Sequence, residues 1–394
     1  MPEGHNRTMS VRPALRFYVH VPYCSSRCGY CDFNTYVAGE AGRGSQGQWR
    51  PAAQTEVRRA RAALPDDARQ VASVFFGGGT PTLLPVSDLA AVIVAIDSQF
   101  GLAADAEITV EANPENVTPG LLDDLLAAGV TRLSLGMQSA DSGVLGTLDR
   151  KHGALSAVRA ARLAQLAGFG QVSLDVIYGT PGETSESWRR TLEAVIDTGV
   201  THVSAYALKV EVGTALARRI QRGEVAPTDD DQAAACYEAA DAILTGAGLP
   251  WYEVSNWAVE GHECRHNLGY WSGDDWWGVG PGAHSHLAGT RFWNLRHPTR
   301  WAKALTAGED PVEGRETLTA DQMQMERVML QIRLAAGFDP AELIQGDATA
   351  ITSSLASRGL IETWGPRWRL TRRGRLLADG VTIEMLDSRI DHGP

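Results

Sequence analysis

Long apolar runs are missing from this 394-residue chain, and none reaches the roughly 18 residues that a membrane-crossing helix needs. No stable membrane insertion is therefore expected. The first dozen residues also lack the apolar centre of a secretory signal, so residues 1–13 read as a polar tail and the expected location is cytoplasmic. Excess positive charge is absent as well. A formal net charge of −11 disfavours broad binding to nucleic acid or to an anionic membrane surface. Cysteine is scarce: five in a chain of this length make no disulfide framework. Nor does the chain have the composition of long disorder, because 44% of its residues are hydrophobic and 21% charged.

What is present is an alternation. Short runs rich in Val, Ile, Leu, Phe, Tyr and Ser at 16–21, 71–76, 107–111, 132–136, 171–177 and 202–208 are separated by amphipathic stretches. Such runs suit buried parallel strands. Helix starts are legible at Ser87, before 88–96, and at Thr118-Pro119; Gly129 and Gly199 close helices. Six successive βα units imply an α/β fold with one parallel sheet. Polar residues gather at the ends of four different strands, namely Gly77-Gly78-Gly79-Thr80, Glu111, Gln138 and Asp175. That distribution favours a partial (β/α)6 barrel over 14–250 rather than a doubly wound sheet with one crevice. Residues 38–48 read as a glycine-rich flexible loop, and 251–300 as a loop-like connecting segment crowded with aromatic side chains. The remainder, 301–394, has the order of a winged helix: helices at 319–345 and 348–358, a hairpin of 360–363 and 368–370 around Gly365-Pro366, and a helix from Arg372.

Three of the five cysteines crowd into the run Cys24-Ser25-Ser26-Arg27-Cys28-Gly29-Tyr30-Cys31. Thiolates at the spacing C-x3-C-x2-C can hold three irons of a 4Fe–4S cubane and leave the fourth open. A structural zinc site is the alternative, but zinc usually takes four ligands in paired C-x2-C spacings and no second pair occurs. The glycine triplet lets backbone approach a ligand closely, and no Lys-Ser or Lys-Thr follows it, which excludes a nucleotide P-loop. Cys236 sits in a helical context that suits a buried, inert thiol.

The cysteine motif, followed in order by Gly77-Gly78-Gly79-Thr80-Pro81-Thr82, Glu111-Ala112-Asn113-Pro114 and Gly136-Met137-Gln138-Ser139, resembles a radical S-adenosylmethionine (SAM) family. The family is that of oxygen-independent coproporphyrinogen oxidases and HemW heme chaperones, and the resemblance runs over nearly the whole chain. It implies a 4Fe–4S cluster on Cys24, Cys28 and Cys31, with SAM chelating the open iron. It also implies a SAM site made of Tyr18, Gly78, Gly79, Thr80, Glu111, Gln138, Arg150 and Asp175. Arginine suits the methionine carboxylate, and an aspartate suits ribose hydroxyls. His20 is either a pocket residue or a structural hydrogen-bonding one. No side chain is singled out as catalytic.

Two features separate the branches of that family. The oxidase branch typically carries a further cysteine two positions after the third, where this chain has Phe33. The run His266-Asn267-Leu268-Gly269-Tyr270-Trp271 resembles the H-N-x-x-Y-W motif of the chaperone branch. Imidazole can ligate heme iron and aromatic faces can meet a porphyrin, which makes His266, Tyr270 and Trp271 the heme-binding candidates. The alternative for His266 is a hydrogen-bonded place in an aromatic core; Cys264 carries the same two readings. The resemblance thus implies heme as cargo, delivered to a respiratory cytochrome or other heme enzyme, with a homodimer and peripheral membrane contact during transfer. Radical decarboxylation of coproporphyrinogen III is the enzymatic alternative. A redox-sensing nucleic-acid binder is the third, resting on the winged-helix order and on Arg367, Arg369, Arg372, Arg373 and Arg375.

Overall fold

The computed structural model describes residues 13–151, 153–344, 348–365 and 367–387. The polar tail, apart from Pro13, and Pro366 of the hairpin turn lie outside the described residues. Six strands, β1 (Leu15–Val21), β2 (Val71–Gly78), β3 (Leu102–Ala112), β4 (Arg132–Gln138), β5 (Gln171–Tyr178) and β6 (His202–Ala207), pair parallel in sequence order. Sequential order with right-handed crossovers keeps every connecting helix on one face and curves the sheet as in a barrel. Alternation along each strand then decides what each face holds. Phe17, Val19, Val74, Phe76, Val110, Leu133, Leu135, Leu174 and Val203 enter one apolar core with the helices Ser45–Ala63, Val86–Phe100, Ser156–Ala167 and Ser185–Ile196. The intervening residues, among them Arg16, Ser73, Glu107, Arg132, Ser173 and His202, line the opposite, polar face and are themselves buried.

Thr118 caps its helix as expected, accepting from the Leu121 amide. The helix expected after Ser87 instead spans Val86–Phe100 with Pro85 at its start, and the helix after the glycine-rich loop already begins at Ser45.

The segment 251–300 differs from the expected connecting loop. It supplies β7 (Trp251–Glu253), β8 (Asn256–Ala258), β9 (Asp275–Val279), β10 (His284–Leu287) and β11 (Thr290–Asn294), and β12 (Val312–Thr317) follows. Strands β8 and β7 extend the β6 edge, while β9 pairs parallel with β1 and carries β10, β11 and β12 beyond it, giving an open twelve-stranded sheet. Strands of three to five residues broken by glycine carry too little periodicity to announce themselves. Since β12 and the helix Pro298–Ala307 pack on the main body, the C-terminal unit starts near Thr319 rather than at 301. It has its own core of Val328, Ile332, Phe338, Leu343, Leu355, Leu360, Leu370, Val381 and Met385. Helices Ala320–Gln331, Pro340–Leu343 and Ala348–Ser357 precede the hairpin β13 (Ile361–Trp364) and β14 (Arg367–Leu370).

Several arginines of this unit are engaged by the protein itself. Arg375 forms a two-pronged pair with the buried Asp241 at 2.8 and 2.7 Å, and Arg372 reaches the same carboxylate at 2.6 Å. Arg369 lies 3.6 Å over the Trp364 ring, and Arg367 donates to the Gly337 carbonyl. These contacts engage four of the five arginines of the basic run in docking and packing, with Arg372 still half exposed and Arg373 exposed. Among the described residues no helix is long and apolar enough to cross a membrane.

Candidate functional site

The cysteine loop leaves the end of β1 and is riveted to the glycine loop that leaves β2. The Gly79 amide donates to the Val21 carbonyl at 2.8 Å and the Thr80 amide to Tyr23 at 2.7 Å. Both glycines are needed there. A Cβ on Gly79 would lie 2.5 Å from the Tyr23 carbonyl oxygen; one on Gly78, whose φ is +108°, would lie 2.3 Å from the His20 ring. On its far side the loop docks on the segment after β4, where the Gly29 amide donates to Leu148 at 3.1 Å and Arg150 Nη1 donates to Cys28 Sγ at 3.3 Å.

Cys24, Cys28 and Cys31 are each partly exposed to one cavity of about 490 Å³. Gly78, Gly79, Thr80, Glu111, Gln138, Arg150 and Asp175 line the same cavity, so ten of the eleven residues expected around cluster and SAM converge. Tyr18 is the exception: it lines the adjoining cavity, its hydroxyl bonded to His20 Nδ1 at 3.1 Å. His20 Nε2 meets the Asn34 carbonyl at 2.9 Å, so both of its nitrogens are taken, and burial lowers its pKa to about 4.

The donor set fits a cluster with SAM beside it. Burial, then the neighbouring thiols, pushes Cys24 up to about 11; coordinated iron takes the place of such protons. Glu111, which accepts from the Gly78 amide at 3.1 Å, is raised to about 8 by burial and then by Asp175. Asp175 is likewise raised by burial, and accepts from Ser134 at 2.8 Å. Among the described residues neither carboxyl group forms an ion pair, which makes an environment for a cation, and SAM brings a sulfonium and an ammonium. Arg150 Nε is buried without a partner. Gln138 holds a left-handed backbone, φ +64°, where β4 slips register against β5; strain of this kind clusters at ligand sites.

The heme candidates fall elsewhere, for a physical reason. The motif forms the helix Arg265–Ser272, which plugs the lower end of the polar face of the sheet. Its N-terminus is capped by Glu107, which accepts from the Arg265 and His266 amides at 3.0 Å each and from Cys264 Sγ at 3.4 Å. His266 is 1% exposed, with Nδ1 against Ser73 at 2.9 Å and Nε2 against the Tyr270 hydroxyl at 3.0 Å. Burial lowers its pKa to about 3. A ring so placed offers no nitrogen to heme iron, which corrects the expectation for His266; Cys264 is equally internal. Tyr270 reaches the adjoining cavity of about 730 Å³, while Trp271 faces a third one, toward the helix Ala320–Gln331. Sequence reasoning passed over the other walls of the larger cavity, His284, Trp276, Trp293 and Arg296, although the density of aromatic residues in that segment was their signal.

A family model for the radical SAM superfamily matches residues 18–195, the stretch that carries the cysteine loop and the polar strand ends. Fold and donor set therefore define a radical SAM core, a class built around a 4Fe–4S cluster and SAM. Over 369 residues the chain is 50% identical to the heme chaperone HemW of Mycobacterium tuberculosis, covering 94% of each. It is 31% identical to heme chaperone HemW of Escherichia coli, over 94% of this chain and 97% of that one. A mouse mitochondrial radical S-adenosyl methionine domain-containing protein 1 is 39% identical over 75% of this chain. The chain belongs to the HemW heme chaperone family of radical SAM proteins. The fold is also that of the Escherichia coli coproporphyrinogen III oxidase HemN, with a TM-score of 0.80 at 24% identity over 95% of this chain and 90% of that one.

Proposed function

We propose that this protein takes up heme beside its cluster and SAM and hands it to a respiratory cytochrome or another heme enzyme. The observation that carries this reading is the cavity of about 730 Å³ that abuts the cysteine loop and is walled by Tyr270, Trp276, Trp293 and the exposed Phe33. Its volume falls within the roughly 300–1,000 Å³ of small-molecule sites, and aromatic walls suit a large flat ligand. In the cysteine cavity, Cys24, Cys28 and Cys31 hold the cluster. Gly78, Gly79 and Thr80 present backbone to the amino end of SAM. Glu111 and Asp175 answer its cationic and hydroxyl groups, Arg150 its carboxylate, and Gln138 adds a donor and an acceptor. When bound, cluster and SAM supply a one-electron reductant and a reducible sulfonium. The residues of the chain orient them and exclude water. Phe33 stands where the oxidase branch has its further cysteine, which favours transfer over decarboxylation. A homodimer and peripheral contact with the membrane that holds the recipient belong to the same proposal.

The test is transfer. Anaerobically reconstituted protein loaded with heme is mixed with an apo b-type cytochrome, and the absorption bands of the acceptor are followed. The proposal expects holo-cytochrome to form faster with the protein than with free heme at equal concentration. Equal rates would overturn it.

A further inference from the structure

Strand β10 starts at His284, paired with Trp293 of β11; the two rings stack at 5.7 Å between centroids and 22° between planes. His284 is an exposed histidine on the wall of the 730 Å³ cavity. Both nitrogens of His20, His202 and His266 are spent on hydrogen bonds, whereas the His284 ring meets the Trp293 face and feels the charges of Arg296, Arg291 and the titratable His20. Partial burial, then those arginines, lower its pKa and keep the ring neutral, the form that ligates metal.

The ring is held on a rigid mount. Asn34, three residues after Cys31, donates through Nδ2 to the carbonyls of Pro281 at 3.0 Å and Arg296 at 2.9 Å. Buried Glu56 accepts from the Gly280 amide at 2.8 Å, from Trp301 Nε1 at 3.0 Å and from Asn294 at 2.6 Å. Gly282, at φ +73°, has no room for a side chain, since a Cβ would lie 2.6 Å from Asn34. The loop that aims His284 is thus tied to the cysteine loop itself. Phe33, Gly78 and Glu111 line both cavities, so a ligand in one is next to a ligand in the other. Arg296 is the one cation among the described lining residues, against the acids Glu313 and Glu111, so an anionic group is met on the arginine side alone.

We propose that His284 is the axial ligand to the iron of heme held in this cavity, with the porphyrin against Trp293, Trp276 and Tyr270 and one propionate on Arg296. This inference rests on the heme-transfer reading and names its ligand. Trp276, which packs on both Tyr270 and His286, separates this cavity from the one faced by Trp271. His286 is therefore the competing imidazole.

The test titrates ferric heme into reconstituted wild type, His284→Ala and His286→Ala, reading the Soret band and the ferric heme resonance signal, with the 4Fe–4S absorption as the check on folding. Expected is a shifted Soret band and an altered ferric heme signal in His284→Ala alone. Its affinity should weaken by at least roughly 10-fold, the lower end of what loss of an outer-shell partner costs a metal site, and added imidazole should restore the spectrum. A wild-type spectrum in His284→Ala, or its loss in His286→Ala instead, overturns the assignment while leaving heme binding intact. Absence of heme binding by wild type overturns the transfer reading itself.

Discussion

Replacing Glu107 by Gln tests whether the Arg265–Ser272 plug helix is fixed from within the sheet. Glu107 is 2% exposed, and its two oxygens take the Arg265 and His266 amides, donors that no helical turn can satisfy. A hydrogen bond to a charged group contributes about 1.5–3 kcal/mol, and an acid at a helix N-terminus adds about 0.3–1 kcal/mol through the dipole. Glutamine keeps the shape and one acceptor oxygen but turns an amide N–H₂ toward the second donor. The expected loss is about 2–4 kcal/mol of unfolding free energy. Urea unfolding of the reconstituted protein, followed by tryptophan fluorescence, measures it. Tyr270 rides on the same helix, packed 4.7 Å from Trp276, so heme affinity should fall too while the cluster absorption stays. A change within about 0.5 kcal/mol, the range of an inert surface substitution, would refute the idea that this carboxylate anchors the plug.

Further expectations concern the cluster, the SAM site and the domain contact. Ser at Cys24, Cys28 or Cys31 should abolish the iron–sulfur absorption of reconstituted protein; an unchanged spectrum would remove the cluster from this loop. Gly79→Ala, with its Cβ 2.5 Å from the Tyr23 carbonyl oxygen, should lower iron content after reconstitution without unfolding the chain, as read by circular dichroism. Glu111 holds its proton to about pH 8 in the folded, SAM-free protein but only to the usual carboxylate range when unfolded. Its contribution is therefore full at acid pH and lost as pH rises through 8, by at most about 1.4 kcal/mol per unit. Glu111→Gln should flatten the decline in urea stability between pH 6 and 8 and weaken SAM binding; an identical pH profile in the variant would contradict this. Asp241→Asn leaves Arg375 without its two-pronged partner, a change that costs about 3–5 kcal/mol for a buried pair. The C-terminal unit should then become the first site of limited proteolysis, and an unaltered cleavage pattern would argue against the pair as its anchor.

The six parallel strands were legible because each presents a run of apolar residues, and the cysteine and glycine loops because their residue types have few other uses. Strand order followed from the βα alternation. The chain beyond Pro250 was harder to read for reasons of length and direction. Strands such as Trp251–Glu253 and Asn256–Ala258 are too short to show a period, and β9 finds β1 across more than 250 residues of chain. His266 shows the second difficulty. A histidine among aromatics fits an iron ligand by type, but the helix that carries it points the ring at Ser73 and away from the cavity. Arg372 and Arg375 fit a nucleic-acid face by type in the same way, and instead close on Asp241, 134 positions from the latter. Residue chemistry names candidates; the direction of the side chain, set by pairing partners distant in sequence, selects among them.

The central claim is that the cavity beside the cluster receives heme as cargo, and one anaerobic experiment on the reconstituted protein addresses it most directly. Heme is titrated by absorption while a parallel sample receives coproporphyrinogen III, SAM and a reductant. The account predicts saturable binding of heme and no protoporphyrinogen IX. Formation of protoporphyrinogen IX without saturable heme binding would contradict it and make the protein a decarboxylating enzyme despite Phe33.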